Sequence, residues 1–466
     1  MSIIIPANSA AGGAGYQVDN SLRLNSASSD YLSRSSTAGN KKTWTFSFWL
    51  KRSKLDVLQF IAFSDVANYF RMRITSGNVF EIFDSNGNTT WNWYPLLRDT
   101  AAWYHLVLRA DSTDGTNGNR LRLYINGTLA LANTVGSISQ NYDFSFNQGG
   151  TFQIAKGNST DYLDGYLAET ILIDGQALAP TDFGEFDEDS GIWKPIDVSG
   201  LTFGSQGFYL DYKDSGALGN DVSGNNKDFT ANNLTSIDQS TDTCTNNFCT
   251  PNSLYPPSNG SVVFSEGNLK TVFSTYSQSP NGTMGASAGK WYYEMKMGST
   301  HARFGWCEIN CPQGDTDSDS TFPAYAIYSN GSSSLGLRVY KNVTNRAITD
   351  NGGYTEWSAG NIVGIAFDID NGKFYAHLNG TYYNSGNPAN GTGALMTGIT
   401  AQDSGVFIPY LNCGTNNSRT FELNFGSPSH AISSGNQDSN GYGNFEYAVP
   451  TGFFAVCTKN ISEVDS

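Results

Sequence analysis

Apolar and polar residues alternate one for one along much of this chain, the period of a strand with two differently solvated faces. In "TWTFSFWLKR" Trp44, Phe46, Phe48 and Leu50 share one face and Thr43, Thr45, Ser47 and Trp49 the other, which predicts a half-buried strand. "YFRMRITSGNVFEIFD" predicts a hairpin turning at Ser76-Gly77-Asn78, and "WYHLVLRAD" and "RLRLYING" predict two more strands around the turn-rich "STDGTNGN". The pattern returns near residue 256. In "NIVGIAFDIDNGKFYAHLNGTYY", Val363, Ile365, Phe367 and Ile369 share a face, Asn371-Gly372 turns the chain, Phe374, Ala376 and Leu378 share the next face, and Asn379-Gly380 turns it again. Asn-Gly accepts the positive φ of a two-residue hairpin, so this is a three-strand meander, and Asn126-Gly127 closes a hairpin in the same way. Both Asn126 and Asn379 begin Asn-Gly-Thr, the acceptor triplet for N-glycosylation. A turn explains the triplets without any modification.

Nothing shows the 3.6-residue period of an amphipathic helix. Composition agrees: of 466 residues, 13% are aromatic, only 15% are charged and 50 are glycine, a balance suited to turn-rich β structure. The formal net charge of −15 argues against nucleic acid, whose binding needs a basic footprint. The N-terminal "MSIIIPANSAAGGAGYQVDN" has no basic stretch leading into a long apolar one, so a chain made in a cytoplasm without export is expected. No apolar run approaches a membrane span, and no membrane insertion is expected. The six cysteines all lie in the second half. Cys244/Cys249 and Cys307/Cys311 are spaced like half-sites for zinc but match no compact knuckle; buried thiols are the plainer reading, and disulfides between these neighbours stay open.

The strand-rich blocks divide the chain into an N-terminal arm (1–18, a candidate anchor), a first block (19–195), a connector rich in Asn, Ser and Gly (196–255) that is expected to pack on a neighbouring domain rather than float free, a second block (256–457) and a tail (458–466). The pieces "SLRLNSASSDYLSR", "TWTFSFWLKR", "AAWYHLVLRAD", "LRLYINGTLA" and "TFQIAKGNSTDYLDGYLAETILIDGQAL", in that order, resemble a laminin G-like, concanavalin A-type sandwich. "GKWYYEMKM", "RFGWCEI", "WSAGNIVGIAFDIDNGKFYAHLNGT", "GVFIPYLN", "FELNFGSP" and "VPTGFFAV" resemble a SPRY domain. The expected fold is therefore all-β: two concanavalin A-like antiparallel sandwiches, a laminin G-like jelly roll and then SPRY, joined by a loop-rich connector. The whole string, including "LIDGQALAPTDFGEFDEDSGIWKP", "GFYLDY" and "LGNDVSGNNKDFTANNL", resembles sandwich-type virion proteins of tailed phages, marine ones especially.

Candidate sites follow. "NTTWNWYP" sets Trp91 and Trp93 on one strand face and Tyr94 on the other; exposed rings stack on sugars, whereas inward ones fill a core. Tyr382 and Tyr383 are a second aromatic candidate. "GDTDSDSTF" sets Asp315, Asp317 and Asp319 at alternate positions, carboxylates suited to Ca²⁺; Ser320 and Ala326 break the EF-hand pattern, and a solvated acidic loop is the alternative. For catalysis, Glu185 and Asp187 begin the glucanase pattern Glu-x-Asp-x-x-Glu, but Ser190 ends it; Asp368 and Asp370 are paired on one strand face, and no Ser/His/Asp pattern stands out. No enzyme activity and no required cofactor are expected.

The resemblance implies a phage virion structural protein located in the virion, a projecting tail-fibre or head-fibre type appendage. Its partners would be other virion proteins and host-surface glycans, and phage appendages suggest a homotrimer. A purely architectural capsid or tail decoration, and a polysaccharide-degrading enzyme, are the alternatives.

Overall fold

A computed structural model describes residues 15–65, 68–134, 136–157, 161–254, 262–274, 280–309, 324–330, 338–341, 347–351, 354–401, 404–412 and 418–464. The chain divides into two compact units that meet in sequence at Asn247 and Phe248. Each is an antiparallel β-sandwich.

In the first unit one sheet runs, in spatial order, Thr128–Leu129, Leu121–Ile125, Trp103–Asp111, Thr43–Arg52, Gly165–Asp174, Ser21–Leu24 and Gln239–Ser240, with Phe208–Leu210 also paired to Gly165–Asp174. The opposing sheet runs Leu131–Thr134, Thr89–Tyr94, Phe80–Asp84, Tyr69–Ile74, Gln59–Asp65, Gly150–Ile154, Tyr31–Ser36 and Thr230–Asn232. Trp44, Phe46, Phe48, Phe70, Trp91, Phe146 and Phe152 fill the space between them.

The strand Thr43–Arg52 is not half-buried as its alternation predicts; from Trp44 onward every residue is buried. Its outward face is covered too. Phe183, Val198 and Phe203 pack on Val107, Ile171 and Ile173 of this sheet, and Val18 and Trp193 pack with Trp49, Trp103 and Tyr166. Polar groups buried in that layer are paired, as burial demands. Lys51 donates to Asp242 and Asn247 at 2.6 Å each, and the Trp103 indole donates to Asp242 at 3.0 Å.

The stretch after residue 195 packs on a neighbouring domain as expected, and up to Asn247 it belongs to the first unit. Residues 196–247 supply three short strands and plug the first sandwich with Phe208, Leu210, Tyr212, Leu218 and Phe229. Arg34 lies 5.1 Å from the centroids of both Phe208 and Phe229. Sparse apolar residues in polar text look like linker, yet Phe208 and Phe229 pack edge-to-face 4.9 Å apart and both meet Phe152 of the core. Of the expected arm, residues 1–14 lie outside the described ones, while Tyr16 and Val18 pack with the first unit.

The second unit pairs a sheet ordered Val262–Ser265, Lys270–Phe273, Arg419–Asn424, Lys290–Met297, Ile362–Asp368, Lys373–Leu378 and Thr381–Tyr382 with one ordered Ala347–Asn351, Arg338–Lys341, Ala324–Asn330, His301–Glu308 and Phe407–Asn412. Trp291, Trp306, Trp357, Phe367 and Phe421 are among its core residues. The expected tail is a helix over Thr458–Val464 whose Ile461 joins this core. Among the described residues no helix is long and apolar enough to cross a membrane.

The two Asn-Gly turns are built alike. Asn126 and Gly127 have φ of 48° and 76°, Asn379 and Gly380 of 48° and 83°. Each asparagine brackets one residue of the neighbouring strand. The His105 amide donates to Asn126 Oδ1 at 2.8 Å and Asn126 N donates back to His105 O at 2.9 Å; Ile362 and Asn379 do the same at 2.9 and 2.8 Å. Both amide oxygens therefore hold strand registers. Between Asp368 and Lys373 the loop has four residues rather than two, with positive φ at Gly372 and the Asn371 amide and side chain donating to Asp368.

Candidate functional site

Among the described residues of the first unit, the outward side of Gln59–Asp65, Tyr69–Ile74, Phe80–Asp84 and Thr89–Tyr94 is a partly exposed sheet face. Register places Phe63, Arg71, Phe83 and Thr90 on one rung across these strands, and Arg73, Glu81 and Asn92 on the next. Phe63, Tyr69 and Phe83 form a strip, with Tyr69 6.0 Å from Phe63 and 5.5 Å from Phe83 between ring centroids, both pairs tilted by 32°. Phe63 is buried at its base; Tyr69 and Phe83 are half-exposed.

Two cations stand in this strip with different fates. Arg73 is committed, its guanidinium 2.6 Å from Glu81 Oε1. Arg71 lies over the Phe83 ring at 4.6 Å. Its Nε is buried and has no hydrogen-bond partner, and no carboxylate or carbonyl among the described residues pairs with its guanidinium. Partial desolvation, with Arg73 close by, lowers its pKa from the ordinary arginine value.

Amides rim one end of the strip. Ser85 Oγ accepts the Tyr69 amide at 2.7 Å and fixes that end of the hairpin. Beside it Asn68 Nδ2 donates to Asn86 Oδ1 at 3.3 Å, Asn86 donates to Asp143 O at 2.9 Å, and Gln148 donates to Asn68 O. Half-exposed rings flanked by a guanidinium and side-chain amides suit a pyranose, which offers an apolar ring face and a hydroxyl edge.

The expected residues divide. Trp91 and Trp93 do not reach this surface: each is 2% exposed and belongs to the core, Trp91 lying 6.3 Å from Phe144 and Trp93 6.2 Å from Phe80. Alternation sends them inward and sends Thr90, Asn92 and Tyr94 outward. Tyr94, 41% exposed and paired in register with the exposed Leu131, is on the open face, further along its strand. Tyr383 is also in a core, its hydroxyl donating to Thr355 O at 2.9 Å, and Tyr382 packs edge-on to His377 with its hydroxyl buried. Neither presents an open ring as expected, because the turn that precedes them folds this corner onto the sandwich. Asp315, Asp317 and Asp319 lie outside the described residues, as do Cys311 and Cys413. Among the described residues no cluster of His, Cys, Asp and Glu could hold a metal, and Cys244, Cys249, Cys307 and Cys457 are free thiols.

The carboxylates weighed for catalysis make local contacts, and the exposed Glu185 pairs with Lys194 at 3.4 Å. Asp187 caps a turn, accepting Ser190 N at 2.9 Å and Lys194 Nζ at 3.0 Å, contacts that hold its pKa down. Asp368 accepts from Asn371 and pairs with Lys290 at 3.4 Å, while Asp370 accepts Gly289 N at 2.7 Å. Two other carboxyls are perturbed upward. Burial raises Glu169 to about 7 although Tyr209 and Tyr16 donate to it at 2.6 and 3.2 Å, and burial raises Glu294 to about 7 although Glu446 N, Tyr447 N and Tyr292 donate to it. Both are enclosed in packed side chains and face no open surface.

Arg71, Tyr69 and Phe83 were not singled out from the sequence. The signal was a reversal in "VFEIFD": Phe83 occupies an outward position where the alternation asks for a polar residue, and Asp84 an inward one, where it is fully buried and caps Ser145.

Each unit is two stacked sheets, and the first carries an aromatic strip on the outward side of one of them. Comparison of sequences agrees. Residues 26–181 match the concanavalin A-like lectin/glucanases superfamily (laminin G type), and residues 290–427 match the SPRY domain. Similar solved structures include a heptameric SAP-like pentraxin from Limulus polyphemus (15% identity, 35% of this chain and 80% of that one, TM-score 0.27). Others are the SPRY domain of human HERC1 (11%, 35% and 91%, 0.26) and domains LG4-5 of the mouse laminin alpha1 chain (10%, 94% and 88%, 0.29). No curated protein matches the sequence.

Proposed function

We propose that the chain is a non-catalytic, glycan-binding structural protein of a tailed-phage virion, displayed as a fibre-type appendage that attaches to host-surface glycans. The observation that carries glycan binding is the half-exposed pair Tyr69 and Phe83, backed by the buried Phe63, with a guanidinium that has no hydrogen-bond partner among the described residues and an amide rim. The lectin superfamily match over residues 26–181 supports it. The virion assignment rests on the likeness of the whole string to phage sandwich proteins. Single sugar contacts are weak, and a homotrimer presenting three trays would gain avidity of order 10²- to 10⁴-fold. No cofactor is required. A Ca²⁺ contribution would come from Asp315, Asp317 and Asp319.

A glycan array probed with the full chain, with and without Ca²⁺, tests the reading. Binding that Tyr69→Ala and Phe83→Ala abolish, and that Glu185→Gln does not, is expected. An array without binders under both conditions would leave the architectural role in its place, and turnover of host polysaccharide would refute the non-catalytic assignment.

A further inference from the structure

The tray also carries a specificity element. Every other buried or half-buried arginine of the first unit is committed: Arg23 to Asp238, Arg34 to the Gln206 carbonyl, Arg52 to Gln59 and Asn78, Arg73 to Glu81, Arg109 to Ala177 O, Arg120 to Asp114 O and Arg122 to Gly118 O. Arg71 alone among them has no hydrogen-bonding partner in the described residues. A half-buried guanidinium left unpaired is costly, and proteins normally pair it. Here the neighbouring carboxylate that would do so, Glu81, is turned to Arg73.

We infer that Arg71 is the anchor for a carboxylate on the sugar, so that the tray selects acidic pyranoses of the uronic or sialic type over neutral ones. The inference rests on the glycan-binding reading above. The guanidinium carbon lies 4.6 Å from the Phe83 centroid, and the Nη1/Nη2 edge, unlike the buried Nε, is left to pair with a ligand. A guanidinium edge matches a carboxylate in two parallel hydrogen bonds, and partial desolvation strengthens them. Tyr69 and Phe83 then lie where the pyranose ring of the same residue would rest, and the amides of Asn68, Asn86 and Gln148 are placed to meet its hydroxyls. On a chain of net charge −15, one guanidinium in the tray suits one carboxylate rather than a polyanion held along its backbone.

The test is titration of the full chain with oligogalacturonate and with its methyl ester, the same sugar without charge, and with 3′-sialyllactose against lactose. The expected result is a preference of about ten- to a hundredfold for at least one acidic member over its neutral partner, the range a hydrogen bond to a charged group supplies. Arg71→Gln should bring that ratio close to one, and Arg71→Lys should retain part of it as a point charge. Equal affinity for the acidic and neutral members of both pairs in the native protein, or a preference that survives Arg71→Gln, would overturn the inference while leaving glycan binding intact. A preference for sulfated lactose over both carboxylated sugars would overturn the assignment to carboxylate. Failure of every acidic and neutral sugar to bind would overturn both readings. Unchanged melting of Arg71→Gln and Arg71→Lys excludes misfolding as the cause.

Discussion

Glu169 ties stability to pH in a direction opposite to that of most carboxylates. It sits in a bulge of Gly165–Asp174 with φ of 48°, 4% exposed, and its carboxyl is raised from 4.5 to about 7. Between those values the folded chain keeps a proton that the unfolded chain has released. The group's contribution to stability is therefore complete at pH 4.5 and is lost as pH rises to 7. At about 1.4 kcal/mol per pKa unit, the loss is about 3 kcal/mol. His105 opposes it. Fully buried, with its pKa pushed down to about 3, it accepts the Trp193 indole proton on Nδ1 at 2.9 Å and directs Nε2 at Ser47, so it stays neutral when folded while the unfolded chain takes up a proton below pH 6.5. Its contribution rises with pH between about 3 and 6.5, and the two slopes offset each other over pH 4.5–6.5. Glu169→Gln isolates the carboxyl. The amide oxygen still accepts from the two tyrosines and carries no charge. Stability of variant minus wild type, from calorimetric or urea unfolding of the full chain, should be near zero at pH 4.5 and should grow to about 3 kcal/mol in favour of the variant at pH 8. A gap that is independent of pH, or that favours the variant more in acid, would refute the reasoning.

Other predictions follow from packing. Trp91→Ala should cost about 3–5 kcal/mol by opening a core cavity, and Tyr94→Ala within about 0.5 kcal/mol, as chemical unfolding would show. Asp242→Asn leaves the buried Lys51 ammonium without its ion-pair partner and should cost about 3–5 kcal/mol in the same assay. Gly127→Ala combines positive φ with a Cβ placed 2.4 Å from the Trp193 ring, whereas Gly191→Ala, also at positive φ, meets nothing within 4 Å. The first should lower the melting temperature by several degrees more than the second; equal losses would mean that Trp193 moves aside freely.

Much of the fold was legible because a strand writes its two faces into alternate letters. "YFRMRITSGNVFEIFD" gave its hairpin and its turn, and both Asn-Gly pairs that precede Thr gave positive-φ turns. The site was less legible. Alternation separates Trp91 and Trp93 from Tyr94 but does not say which side is the core, and large aromatic size drew attention to the rings that had been placed inside. Arg71 looked like any solvated strand arginine, since its lack of a partner depends on where Glu81 turns.

The sequence alone determined what is local: strand period and turn positions, each written in neighbouring residues. Tertiary structure decided what depends on distant segments meeting. It absorbed residues 196–247 into the first sandwich, covered the second face of Thr43–Arg52, and left a half-exposed aromatic face with an arginine that has no hydrogen-bond partner among the described residues. Burial and pairing are properties of contacts between residues far apart in the chain, and no single strand's pattern contains them.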